Sequence, residues 1–207
     1  MKTIAIALMA LCSLGATAQQ RLLGGDLSML PMYEAAGTVY RDAKGKPVDA
    51  LNLFRKEGWN AVRLRLFVDP DKAPAENKDE GVCQDLNYVM GFGKRIKEEG
   101  FRLMLDFHYS DTWADPGKQF IPSAWKGASA EALADSVYQY TRRSLEAMKR
   151  AGAEPDLIQV GNEISFGMLW PMAKTLPTEE DNCPTPLAML SRPRRARREI
   201  TPHAQTT

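Results

Sequence analysis

An α/β fold, about four of the eight strand–helix units of a (β/α)8 barrel of the TIM type, is what this 207-residue sequence predicts. Two observations carry the prediction. Short apolar runs alternate with longer amphipathic ones, the pattern of βαβ units around a parallel sheet. The strand segments are also two-sided. In Asn60–Val68, Val62, Leu64, Leu66 and Val68 share one face, and Arg63, Arg65 and Phe67 share the other. In the next strand, Phe101, Leu103, Leu105 and Phe107 share a face, opposed by Arg102, Met104, Asp106 and the following His108. A doubly wound sheet needs apolar side chains on both faces. One apolar face, with the other turning polar toward the strand ends, suits a barrel with helices outside and a polar mouth inside.

The elements follow in order. Arg21–Gly25 leads into a first strand ending near Asp26. Val48–Lys56 reads as a helix stopped by Gly58, and Asn60–Val68 as a second strand ended by Asp69-Pro70. Gln84–Glu99 is a long amphipathic helix closed by Gly100, and Phe101–Phe107 is the third strand. Ser129–Arg150 is the longest helix, with Ser129 as its cap and Gly152 near its end. Asp156–Val160 is the fourth strand.

The ends of the chain read differently. Lys2, the apolar run Ile4–Leu14 and the closing Ala16-Thr17-Ala18 have the order of a secretory signal peptide over residues 1–18. The run is too short to span a bilayer. Leu11 before Cys12 is too large for a lipoprotein signal. The expectation is a soluble protein, secreted or periplasmic, with no membrane partner. Cys83 and Cys183 alone remain after the signal, too few for a disulfide scaffold or a Cys-rich zinc site. No cofactor or metal is expected. The formal charge of +1 hides a mildly acidic body over residues 19–182 and a basic stretch over 183–207. An acidic body gives no hint of nucleic acid or an anionic membrane.

Chemistry concentrates where strands end. Asp156–Val160 stops at Gly161, and Asn162 and Glu163 follow side by side. A Glu at the carboxyl end of a barrel strand can act as general acid or base when its surroundings raise its pKa. An adjacent Asn can hold a sugar hydroxyl. The same residues alone would equally suit a strand-capping turn with a solvated Glu. Glu163 shares parity with Gln159 and Gly161, so it can point into the mouth. The long segment Ser110–Gly127 carries Trp113, Phe120 and Trp125 among Pro, Gly and Asp. Aromatics there can form a sugar platform or pin the loop to the rim.

Several motifs occur in order: Gly25-Asp26-Leu27-Ser28, Asn60-Ala61-Val62-Arg63-Leu64-Arg65-Leu66, the run from Leu105 to Gln119, and Gln159-Val160-Gly161-Asn162-Glu163-Ile164 with Gly167–Pro171. Together they resemble the arabinogalactan endo-β-1,4-galactanases, retaining glycoside hydrolases of clan A with a (β/α)8 barrel. The resemblance covers about residues 22–182. It implies that Glu163 is the acid/base and that Asn162 binds the sugar 2-hydroxyl. It implies that Arg65 and His108 line the floor of the subsite, with Asp26 and Trp170 near the cleft; Trp113 of the long loop is a further expected substrate-binding residue. The implied substrate is plant cell-wall β-1,4-galactan or arabinogalactan side chains. Retention needs a second carboxylate roughly 5 Å from the first, which the family takes from its seventh strand. No Glu here matches that motif, so the chain reads as the amino-terminal half, truncated before the nucleophile and inactive alone. Asp106 and Asp111 are not that nucleophile. Asp106 reads as the partner of Arg63 or Arg65.

Residues 183–207 break the pattern. Pro184, Pro186 and Pro193, with five Arg within seven positions, leave no apolar stripe to dock on a sheet. From Arg198 to Gln205 the pattern recovers. Loss followed by recovery is what two compensating frame shifts would give, and residues about 183–197 are expected to carry no evolved function. A basic tail for nucleic acid or polysaccharide is the alternative.

Overall fold

The computed structural model describes residues 21–175 and 184–207. The expected signal peptide, Cys183 and the stretch Leu176–Asn182 lie outside the described residues. In chain order the elements are β1 (Gly24–Asp26), α1 (Leu30–Ala35), α2 (Ala50–Lys56), β2 (Ala61–Leu66), α3 (Ala75–Asp79), α4 (Leu86–Glu98) and β3 (Arg102–Phe107). There follow α5 (Ala130–Arg150), β4 (Leu157–Val160), β5 (Gly167–Met168), β6 (Ala173–Lys174), α6 (Pro184–Ile200) and β7 (Gln205–Thr206). The large sheet has the order β1-β2-β3-β4-β7. Every pairing in it is parallel. β5 and β6 form a small antiparallel pair after β4. The fold is α/β, a run of adjacent strand–helix units from a (β/α)8 barrel.

Local chemistry explains the element limits. Asp49 accepts the Asn52 N–H to cap α2, Asp85 accepts that of Tyr88 to cap α4, and Ser129 accepts that of Ala132 to cap α5. Each cap leaves the preceding residues outside the helix, so α2 and α4 start two residues later than their sequence pattern suggests. Burial alone would raise the Asp49 pKa, but the Asn52 amide and the Arg95 guanidinium hold it below the usual carboxylate value. Gly24 is required by close approach. A Cβ there would lie 1.8 Å from the Ala61 carbonyl oxygen on the neighbouring strand.

The two-sided strands behave as their alternation predicts. Val62, Leu64, Leu66, Leu103, Leu105 and Phe107 are fully buried. They join one core with Leu51 of α2, Val89 and Ile96 of α4, and Leu133, Val137, Leu145 and Met148 of α5. The opposite face carries Arg63, Arg65 and Asp106. Among the described residues no helix is long and apolar enough to cross a membrane.

One expectation is corrected by the structure. The segment after 183 does dock. Its helix α6 packs along α5 and against β4. The stripe it uses is narrow: Met189, Pro193 and Ala196 are buried, and Ile200 is half-buried. Spacings of four, three and four place them on one helix face. Only Met189 and Ile200 are large apolar residues, so a search for Leu, Ile and Val periodicity does not find the stripe. The arginines spread around the rest. Arg195 pairs with Glu199 at 2.8 Å and lies 5.3 Å from the Tyr138 ring centre. Pro193 removes one helix hydrogen bond, and a proline in a helix interior costs about 3 kcal/mol. Packing on α5 offsets that cost. The chain then adds a fifth strand, where Gln205 N–H donates to Asp156 O and Thr207 N–H to Ile158 O, both at 2.9 Å.

Candidate active site

Parallel register brings the polar residues together. Asp26 lies beside Arg63 across β1 and β2, Arg65 beside Asp106 across β2 and β3, and Asp106 beside Gln159 across β3 and β4. With Asn162 after β4, they form one network centred on Arg63. Its Nη1 donates to Asp26 Oδ2 at 2.6 Å. Its Nη2 donates to Asp106 Oδ2 and, at 2.7 Å, to Asn162 Oδ1. Arg65 Nε lies 3.2 Å from Asp26 Oδ2. Asp106 is fully buried, so the Arg63 charge is what keeps its carboxylate tolerable there. The expected ion pair of Asp106 is with Arg63, not Arg65.

His108 stands one strand position beyond Phe107 and is buried. Its Nδ1 accepts the Ala114 N–H at 3.1 Å, which leaves the ring proton of the neutral form on Nε2. That atom lies 3.1 Å from Asp106 Oδ2 but is not aligned as a hydrogen bond. Asn162 is anchored on both sides of its amide. Oδ1 accepts from Arg63 and from Gln159 Nε2 at 3.3 Å, and Nδ2 donates to Ala114 O at 2.7 Å. One N–H of that amide remains for a ligand.

Glu163 follows with φ of +48°, after Gly161 at +81°. Tyr109, just past β3, has φ of +50°. Left-handed backbone is uncommon for residues with a Cβ and clusters at functional sites. Two of the three such residues among those described sit at the carboxyl ends of adjacent strands, and the third, Leu169 at +51°, lies between β5 and β6. The turn leaves the Glu163 side chain exposed. Among the described residues its carboxylate has neither an ion pair nor a hydrogen bond.

A concavity of about 370 Å³ is lined by Arg63, Arg65, His108, Trp113, Asn162 and Glu163, with Met29, Ala114 and Asp115. Five of the sequence-predicted site residues therefore meet: Arg65, His108, Trp113, Asn162 and Glu163. Asp26 stands behind them, tied to both arginines. Trp170 is elsewhere. It borders a separate depression with Phe120, Asp111 and Lys126, and its Nε1 donates to Phe166 O at 2.9 Å.

The aromatics of the long loop divide by role. Trp125 packs on Tyr140, with ring centres 5.9 Å apart, and pins the loop. Phe120 is 57% exposed. Trp113 meets Phe67 edge-on at 5.2 Å and stands 4.9 Å from the Arg65 guanidinium carbon. Below the mouth, Tyr109 is buried and Tyr140 half-buried, and desolvation of their hydroxyls pushes both far above their usual pKa.

Sequence reasoning passed over Arg63 as a site residue, and with it Gln159 and Gln119. Parity was the available signal for Arg63, which shares its strand face with Arg65. No cluster of His, Cys, Asp and Glu able to hold a metal occurs among the described residues.

Comparison with known proteins agrees with this geometry. The arabinogalactan endo-β-1,4-galactanase of Cellvibrio japonicus is 40% identical over 148 residues, covering 71% of this chain and 37% of that protein. The enzyme of the same name from Thermothelomyces thermophilus is 35% identical over 152 residues, covering 73% of this chain and 43% of that protein. The solved Ignisphaera aggregans GH53 catalytic domain superimposes with a TM-score of 0.79 at 33% identity, over 88% of this chain and 49% of that one. The chain thus spans less than half the length of these relatives. The family model for glycosyl hydrolase family 53 matches residues 22–206, reaching through α6 and into β7. The chain belongs to glycosyl hydrolase family 53.

Proposed function

We propose that this chain is the amino-terminal half of a secreted, endo-acting hydrolase that cleaves β-1,4-galactan, including arabinogalactan side chains, with retention at the anomeric carbon. The observation that carries the reading is the turn after β4. It puts Glu163, which has no ion pair or hydrogen bond on its carboxylate among the described residues, at the concavity beside an Asn162 whose orientation is fixed. Family membership and the names of the matched relatives supply the substrate class. Glu163 donates its proton to the glycosidic oxygen as the C–O bond breaks, while a second carboxylate attacks the anomeric carbon. Glu163 then takes a proton from the water that releases the sugar. Asn162 offers its remaining N–H to the 2-hydroxyl. Arg65 and His108 form the floor, and Trp113 stacks on a sugar face. Asp26 holds the two arginines in place. The second carboxylate comes from the part of the family fold that this chain does not span. Export follows from the signal-like residues 1–18.

Glu163→Gln in the full-length protein keeps the side-chain shape and removes the proton. A general acid contributes roughly 10²- to 10⁴-fold, so turnover of galactan is expected to fall by that factor with an unchanged unfolding midpoint. Near wild-type turnover would overturn the assignment.

A second reading concerns the 207 residues by themselves: an inactive polypeptide with at most weak β-glycan binding. It is favoured by the other mouth carboxylates. Asp26 and Asp106 are bound to Arg63, and Asp115 pairs with Lys118 at 3.3 Å, so none is free to attack. Galactan added to this chain and to one extended to a full barrel separates the readings.

A further inference from the structure

We propose that Gln119 is a positioning residue for the proton donor, its side-chain amide holding the peptide that aims Glu163. The proposal rests on the reading of Glu163 given above. Gln119 lies within the long loop after β3 and is 2% exposed. Its Nε2 donates to Asn162 O at 2.8 Å and to Asp115 O at 3.2 Å, with Glu163 O at 3.5 Å. An amide nitrogen has two hydrogens, so the two shorter contacts are its bonds and the third is a close polar approach. The backbone carbonyl of Gln119 accepts the Trp170 N–H at 2.7 Å. One buried residue therefore ties the loop after β3 to the turn after β4 and to the segment between β5 and β6.

The clamp matters to Glu163 more than to its neighbour. The Asn162 side chain has Arg63, Gln159 and the Ala114 carbonyl to hold it. The Glu163 carboxylate has no such partner among the described residues, so its backbone is the part of it that contacts hold in place. That backbone is left-handed at φ +48°, a conformation a residue with a Cβ does not keep without outside support. The Gln119 bond to the Asn162 carbonyl fixes the peptide plane that leads into it. Side chains that position a reacting group act through supports of this kind.

The chemistry of the leaving group gives the test. When galactan is cut, the Glu163 proton goes to the bridging oxygen as its bond to the anomeric carbon breaks. A dinitrophenolate leaves with the bond's electron pair and needs no proton. Gln119→Met keeps the side-chain length and removes both donors. In the full-length enzyme, kcat/KM on β-1,4-galactan is expected to fall about 10- to 100-fold, the effect of misplacing a reacting group by about 1 Å. On the dinitrophenyl glycoside of β-1,4-galactobiose the fall should stay under about threefold, because general acid assistance is not used. The ratio of the two within one preparation cancels any loss of folded protein.

Glu163→Gln, measured alongside, must show the same selectivity more strongly. If it does not, the reading of Glu163 falls and this proposal with it. If it does while Gln119→Met loses both activities together, through unfolding or weaker binding, or loses neither, Gln119 has no positioning role.

Discussion

The two faces of β2 and β3 are made by the same backbone and held by different physics. The outer face is Val62, Leu64, Leu66, Leu103, Leu105 and Phe107, all fully buried. Burying such a side chain is worth roughly 1.5–3 kcal/mol, without regard to direction. The inner face carries Arg63, Arg65 and Asp106, and each has a named partner. Replacing a buried ion pair by apolar residues is often neutral or stabilising, whereas removing one member alone is costly. The inner face is therefore a poor way to stabilise a sheet and a good way to fix groups in space. The difference teaches where to look for function in such strands: at the face whose side chains cannot be exchanged one at a time.

That contrast can be broken by mutation. Arg63→Met leaves the buried Asp106 carboxylate without its main partner and is expected to destabilise the chain by about 3–5 kcal/mol in chemical denaturation. Adding Asp106→Leu should recover most of that loss, while the galactan hydrolysis proposed for the full-length protein stays low. Recovery of activity in the double variant would mean the network serves only the fold. On the outer face, Leu105→Ala should cost about 2–5 kcal/mol by leaving a cavity, with kcat per folded molecule unchanged. A large change in kcat there would blur the division between the faces. The smallest effect belongs to the region with the least favourable composition. Pro193→Ala in α6 should raise stability by about 1 kcal/mol or more, since the helix regains a bond at small loss of packing. A lower unfolding midpoint would show that the proline ring itself is part of the contact with α5.

Much of this was legible because it follows from periodicity. Alternation in Asn60–Val68 and Phe101–Phe107 separates the buried face from the polar one, and Ser129 caps α5 as its position suggests. The juxtaposition of Arg65, His108, Trp113, Asn162 and Glu163 follows from their placement near strand ends. What escaped depends on contacts between distant segments. The Gln119 amide meets the Asn162 carbonyl across 43 residues of chain, and no local pattern encodes that meeting. Arg63 and Arg65 look alike along the strand, and only the register makes Arg63 the hub. Trp170 lies in a family-like motif, yet its ring turns to a neighbouring depression. In α6 the docking stripe is Met189, Pro193, Ala196 and Ile200, with a proline that helix propensity discounts at its middle and only two large apolar side chains, and tertiary contact with α5 decides the outcome.

The order of the large sheet, in which the strands sit in the sequence in which they are made, has a kinetic consequence. Each new strand docks on one already present, after closing a loop that contains its own helix, so no strand waits for a distant partner. A chain emerging from the ribosome can add these units one by one, the amino-terminal ones first. At every stage the newest strand exposes a bare edge, the feature that makes slowly assembling parallel sheets prone to associate wrongly. For β4 that exposure ends when Gln205 and Thr207 donate to it. Docking of the segment at 184–207 thus moves the bare edge one strand away from the turn that carries Glu163, onto β7.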